Sequence, residues 1–274
     1  MNKQRFAARL FTRRFCPVNK PEIVIRSDAG ALARKAAEQF VARANQAVTH
    51  AGRFAVALSG GSTPKALYSL LASADFRDRV DWSRAHLFWG DERCVPPDHP
   101  ESNFRMVHET LLARISMPSD NIHRIAAENE PAEAAAAYEH ELKNFFGLEN
   151  GARPAFDLIL LGLGEDGHTA SLFPRTTVLD EVKRFVSAIY VAKLQSYRLT
   201  LTLPVINAAA QVTFLVSGTS KAKIVREIFG SPEASFDYPA AKIRPSEGQL
   251  TWMFDADAAK ELPPSIITEI GVVE

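Results

Sequence analysis

The sequence predicts an α/β protein built on a mostly parallel sheet, and three observations carry that expectation. Short, continuous apolar runs recur at Phe54 to Leu58, Leu158 to Leu161 and Val212 to Val216. Such runs suit parallel strands buried on both faces. Ala31 to Val48 is Ala-rich and puts Leu32, Ala36, Phe40, Val41 and Ala44 on one helical face. Two strand-to-helix junctions, Ser59 to Lys65 and Ser217 to Lys221, are dense in Gly and hydroxyl residues. Parallel strands need crossovers with such turns.

In chain order, residues 1–20 hold six bases and no acid, interleaved with Phe6, Leu10, Phe11 and Phe15. This basic leader is expected to be a poorly ordered extension, with a transit peptide or surface-binding arm as the functional readings. Residues 21–274 are expected to form a single domain. Glu22 to Arg26 alternates as a strand does, Ala31 to Val48 follows as a helix, and Phe54 to Leu58 is apolar enough to be central. Thr63 is placed to cap the next helix, with Pro64 as its first residue, where a missing N–H costs nothing. His86 to Trp89 is a third strand and ends in the charged run Asp91-Glu92-Arg93. A stiff loop, Pro96 to Pro100, leads to a helix at Asn103 to Ala113 capped by Ser102. Asn121 to Ile125 is a short strand, and Ala132 to Phe146 a helix. After Leu158 to Leu161, strands are expected at Phe185 to Val191 and Arg198 to Leu203, then a helical turn from Pro204 to Ala210. Val212 to Val216 leads into a helix at Ala222 to Phe229. Ala240 to Ile243 and Leu250 to Phe254 are expected as edge strands, with Asp255 capping a last helical turn.

Composition narrows the function. The chain is 46% hydrophobic and 23% charged, as ordinary soluble globular proteins are. Lys+Arg and Asp+Glu both number 32, so no basic excess invites nucleic acid or a membrane surface. Two cysteines, Cys16 and Cys94, make no disulfide framework, and a reducing compartment, the cytoplasm, is the expectation. No apolar run approaches the length of a membrane span. The seven histidines show no metal-ligand spacing, so no metal site is expected.

The stretch Phe156 to Pro174 (FDLILLGLGEDGHTASLFP) concentrates the chemistry. A buried strand ends in Gly162, Gly164 and Gly167, and Glu165, Asp166 and His168 lie just past it. In open α/β sheets, ligands bind at the carboxyl ends of the strands. A carboxylate two residues from a His suits acid–base chemistry. Gly162 to Gly167 also fits G-x-G-x-x-G, but that fingerprint needs a full helix, which Pro174 curtails. Ser59-Gly60-Gly61-Ser62-Thr63-Pro64-Lys65 reads as a cradle for one phosphate, since glycines let backbone N–H groups converge at the positive end of a helix. It lacks Walker A spacing. Lys221, in the second such junction, is able to reach a phosphate as a point charge.

Taken together, Leu58 to Pro64 (LSGGSTP), Gly90 to Phe104 (GDERCVPPDHPESNF) and Leu161 to Pro174 resemble the signature of the 6-phosphogluconolactonases, which share a fold with glucosamine-6-phosphate deaminase. Arg198 to Thr202, Pro204 to Ala208, Ser217-Gly218 with Lys221-Ala222, and Tyr238 to Ala240 agree. The resemblance covers about residues 22–260. It implies a three-layer α/β/α, Rossmann-like sheet with a smaller appended portion. It implies hydrolysis of 6-phospho-D-glucono-1,5-lactone, a sugar-phosphate lactone, without cofactor or metal. By position, His168 matches the general base and Asp166 the acid that orients it. Asp91 and Arg93 match the substrate-binding loop. Gly60, Gly61, Ser62 and Thr63 match the phosphate loop, with Arg198 and Lys221 holding the phosphate from the other side. The related deaminase carries a glutamate five residues after its His, where this chain has Phe173. A sugar-phosphate-sensing domain on the same fold is the third reading. It would need a DNA-binding module, for which residues 1–20 are too short.

Overall fold

The computed structural model describes residues 20–149, 151–230, 237–264 and 266. The leader expected at residues 1–20 lies outside them except for Lys20. Ten strands are present among the described residues: β1 (Glu22–Arg26), β2 (Phe54–Leu58), β3 (Ala85–Trp89), β4 (Asp91–Arg93), β5 (Ile122–His123), β6 (Leu158–Leu161), β7 (Val186–Val191), β8 (Ser196–Leu201), β9 (Gln211–Val216) and β10 (Gln249–Asp255). The α-helices are α1 (Ala29–Ala51), α2 (Ser62–Leu71), α3 (Asn103–Thr110), α4 (Pro131–Phe146), α5 (Leu203–Ile206), α6 (Ala222–Gly230) and α7 (Ala256–Ala259).

Seven strands form a parallel sheet in the order β1-β10-β9-β6-β2-β3-β5. Every residue of β2, β6 and β9 is buried, as their continuous apolar runs require. The chain runs outward from β2 to β3 and β5, then returns to the other side of β2 as β6. Between β2 and β6, therefore, lies the point where strand order reverses. Right-handed crossovers put helices on opposite faces when the direction of travel reverses. Accordingly α1 packs on α2 and α2 on α3, whereas α4 packs on β7 and β8. The strands β4, β8 and β7 form a separate antiparallel sheet, the smaller appended portion. Its Val186, Ile189, Val191, Leu199 and Leu201 belong to the same hydrophobic core as the main sheet.

Local signals account for the ends of most elements. Asp28 accepts a hydrogen bond from the Ala31 N–H to start α1, and Gly52, at φ +73°, ends it. Ser102 caps α3 and Asp255 caps α7, both as expected. Four expectations change. Gly61, not Thr63, precedes α2, and Pro64 is its third residue. The proline still costs nothing, because that N–H has no intrahelical acceptor either. Ala240 to Ile243 is not an edge strand but part of a 3-10 turn at Pro239–Lys242. Leu250 to Phe254 is not at an edge: β10 sits between β1 and β9, which its buried Thr251 to Asp255 reflect. Asp91-Glu92-Arg93 is a short strand paired to β8, not a loop.

Two buried tyrosines finish the sheet where its strands splay. The Tyr68 hydroxyl accepts from the Ser59 N–H and donates to the Ser59 carbonyl, at 3.0 and 2.9 Å. Tyr138 does the same for Trp89, at 2.9 and 3.1 Å. Each satisfies two backbone groups that a neighbouring strand no longer reaches. Burial pushes both phenols well above their ordinary value.

Candidate active site

The loops that leave β2 and β6 face each other across the reversal point, where ligands of open α/β sheets bind. They enclose a cleft with two joined lobes of about 230 and about 450 Å³. Gly60, Gly61, Ser62 and Thr63 line the smaller lobe, and Asp166 and Arg198 the larger. Asp91, Arg93, His168 and Lys221 line both. All ten residues singled out from the sequence thus meet in one cleft. Arg198, however, lines the lobe away from the glycine loop.

The loop after β6 is tightly determined. The Gly164 N–H donates to the His168 carbonyl at 2.8 Å, and the Gly167 N–H to the Gly164 carbonyl at 3.0 Å. No helix follows Gly167, so the dinucleotide fingerprint has no structural counterpart. A Cβ on Gly164 would stand 2.0 Å from the His168 ring, so only glycine lets the imidazole lie against the backbone. Gly167 has φ +77°, and a Cβ there would meet the Tyr238 ring at 2.5 Å.

His168 Nδ1 lies 2.5 Å from Asp166 Oδ1, and its ring stacks on Phe173 at 4.4 Å. A carboxylate only accepts, so Nδ1 carries a proton, and in the neutral ring Nε2 is the nitrogen that holds the lone pair. Nε2 has no protein partner among the described residues. Asp166 Oδ2 accepts from Lys193 Nζ at 3.1 Å. Burial would raise the Asp166 pKa, but the hydrogen bond and charge of His168, with Lys193, outweigh it and hold it down at about 2. The pair is therefore an ionised carboxylate that holds the imidazole through Nδ1 and leaves Nε2 without a protein partner among the described residues.

On the opposite wall Asp91, 7% exposed, accepts from the Ser171 hydroxyl at 2.7 Å through Oδ2. Arg93 stands across the β4–β8 ladder from Arg198, and each is tethered to backbone carbonyls. Burial first, then the Arg93 charge, lowers the Arg198 pKa. Two guanidiniums side by side make this wall strongly cationic. Between Asp91 and Arg93 in sequence, Glu92 turns the other way. Its carboxylate accepts from the N–H groups of Arg93, Asn103 and Phe104 and thereby pins the start of α3.

The start of α2 offers N–H donors that no helical carbonyl reaches. Gly61, at φ +105°, aims the backbone there. A Cβ on Gly60 would come within 1.9 Å of the Asn103 amide oxygen, so this glycine admits Asn103 to the cleft wall. Lys221 Nζ lies 3.8 Å from Glu165 and its side chain is 24% exposed, facing both lobes. Ser217 is occupied elsewhere, bound to Asp255.

The family model for glucosamine-6-phosphate isomerases/6-phosphogluconolactonase matches residues 27–252. The chain belongs to this family. A 6-phosphogluconolactonase of Synechocystis sp. is 43% identical over 245 residues, covering 89% of this chain and 99% of the relative. One from Nostoc sp. is 40% identical over 244 residues, with the same coverage. The solved structure of 6-phosphogluconolactonase from Trypanosoma cruzi superposes with a TM-score of 0.78 at 31% identity, covering 89% of this chain and 97% of that one.

Within this family fold, sequence reasoning missed Asn103, Ser171 and Lys193, which line the cleft or hold residues that do. No spacing announces them: Asn103 and Lys193 are brought in from other elements, and Ser171 acts on Asp91 of another strand. Among the described residues no cluster of three or more His, Cys, Asp or Glu is placed to hold a metal, and no helix is long and apolar enough to cross a membrane.

Proposed function

We propose that this protein hydrolyses 6-phospho-D-glucono-1,5-lactone to 6-phosphogluconate, with His168 as the general base. The observation that carries the mechanism is that His168 lines the cleft with Nδ1 held by Asp166 and Nε2 without a protein partner among the described residues. Nε2 takes a proton from water as the water attacks the lactone carbonyl. Asp166 keeps the ring in the correct tautomer and stabilises the imidazolium. That imidazolium then returns the proton to the ring oxygen as it leaves. Arg93, fixed by its bond to the Glu101 carbonyl, serves the developing oxyanion. Asp91, with Oδ2 held by Ser171, offers Oδ1 to a sugar hydroxyl. The N–H groups of the Gly60 to Thr63 loop and Lys221 bind the phosphate, with Arg198 adding charge from the other lobe. Holding this remote group positions the carbonyl over the base. Residues 21–274 act as one unit in this reading, in the cytoplasm, on a small-molecule substrate.

Phe173 argues against the deaminase reading. It packs on the imidazole at the position where the related deaminase carries its glutamate. The test is lactone generated in place at slightly acidic pH, where spontaneous opening is slow. Hydrolysis well above background is expected. Background rates with lactone and turnover of glucosamine 6-phosphate would sink the proposal.

A further inference from the structure

We propose that Lys193 is a positioning residue for the Asp166–His168 pair, held over it by the tip of the β7–β8 hairpin. The inference rests on reading His168 as the base. β7 and β8 pair through six residues each, from Val186↔Leu201 to Val191↔Ser196. The reversal is made by a 3-10 turn at Ala192–Leu194 and closed by Gln195 in the left-handed region, φ +47°. Tyr190 and Tyr197, opposite each other, stack edge to face at 5.1 Å just below the turn. The tip is therefore a built reversal, and it places Lys193 and Leu194 on the wall of the larger lobe.

Lys193 is 71% exposed, yet its ammonium turns back to Asp166 Oδ2 at 3.1 Å. An exposed ion pair contributes little stability, so its consequence lies in geometry and charge. Asp166 Oδ1 accepts from both Nδ1 and the backbone N–H of His168, at 2.5 and 3.3 Å. Lys193 holds the other oxygen. With both oxygens engaged the carboxylate plane is fixed, and so is the imidazole whose Nε2 must meet water in the cleft. The second consequence is electrostatic. The charged groups that line the larger lobe with His168 are Glu165 and Asp166 from its own loop, Asp91 and Arg93 from β4, Lys193 and Arg198 from the hairpin, and Lys221 from the turn before α6. Asp166 favours the imidazolium. Lys193, bound to that same carboxylate, is a second cation that repels a positive charge on the ring.

The test compares Lys193→Met and Lys193→Arg with wild type in two measurements. The first is NMR titration of the free protein with 15N-labelled histidine, the His168 signal being assigned by its loss in His168→Asn. In Lys193→Met the midpoint should rise, because a cation beside the Asp166–His168 pair is gone. In Lys193→Arg it should return toward wild type. The second is lactone hydrolysis. The acid limb of kcat/KM should move up by the same amount in Lys193→Met, and kcat should fall about 3- to 10-fold with KM changing less than about twofold. An unmoved His168 titration with unchanged kcat overturns the proposal. So does a rise in KM alone, which would make Lys193 a substrate contact. A wild type without lactonase activity refutes the functional reading, and the titration still decides the role of Lys193.

Discussion

Among the described residues, two histidines hold a carboxylate through Nδ1, and their surroundings differ. His168 meets Asp166 at 2.5 Å; His123 meets Glu141 at 2.7 Å. The difference lies at the other nitrogen. His123 Nε2 is taken by His86 Nδ1 at 3.1 Å, and its ring is sandwiched near Phe88, at 4.1 Å, and Phe145, at 5.1 Å. Its side chain is 11% exposed, and no residue of this group lines the cleft. His168 lines the cleft, and its Nε2 has no protein partner among the described residues. The contact alone therefore does not mark a base. What separates the two is a second nitrogen left free on a residue that lines a cavity.

That contrast breaks most sharply by substitution. His168→Asn should lower kcat by about 10²–10⁴-fold with little change in melting temperature. Full activity in this variant would falsify the mechanism. Gly164→Ala should come next, since its Cβ would stand 2.0 Å from the His168 ring. Displacing the imidazole by about 1 Å should cost about 10²-fold in kcat/KM, and a wild-type value would show that the loop yields freely. His123→Asn should do the reverse. It should keep kcat and lose about 1 kcal/mol of stability, because His86 and Glu141 lose a half-buried partner. Chemical denaturation alongside the kinetic assay checks both halves.

The smallest effect is a separation in pH. Burial first, then His123 and Arg53, lowers the His86 pKa from 6.5 to about 4. A histidine held neutral in the fold gives stability that is complete above pH 6.5 and is lost as pH falls toward 4. The depressed Asp166 acts lower: its contribution is present above its ordinary value of 3.8 and is lost as pH falls through about 2. The melting temperature should therefore drop between pH 6.5 and 4, and His86→Gln should flatten that drop. A His86→Gln variant with an undiminished slope would assign the acid sensitivity elsewhere.

The sheet was legible because buried parallel strands declare themselves. Phe54 to Leu58, Leu158 to Leu161 and Val212 to Val216 all became central strands. Strand position was less legible. Nothing in Leu250 to Phe254 says that it inserts between β1 and β9, since sheet order is set by crossovers and not by local pattern. Asp91 to Arg93 looked like a loop because three charged residues hide the alternation: Asp91 and Arg93 face the cleft and Glu92 the α3 terminus.

The sequence by itself determined the elements and the loop chemistry of this protein, through apolar periodicity, caps and glycines that act over a few residues. Asp166 and His168 are two residues apart, so their pairing is a local matter. Tertiary structure alone decided that the loops after β2 and β6 share one cleft and that His123 is sealed while His168 is open. It also brought Lys193 to Asp166 across 27 residues and placed Asn103 against Gly60. The physical reason is the same in each case. These contacts depend on which strands become neighbours, and burial of the whole core, not any one segment, selects that order.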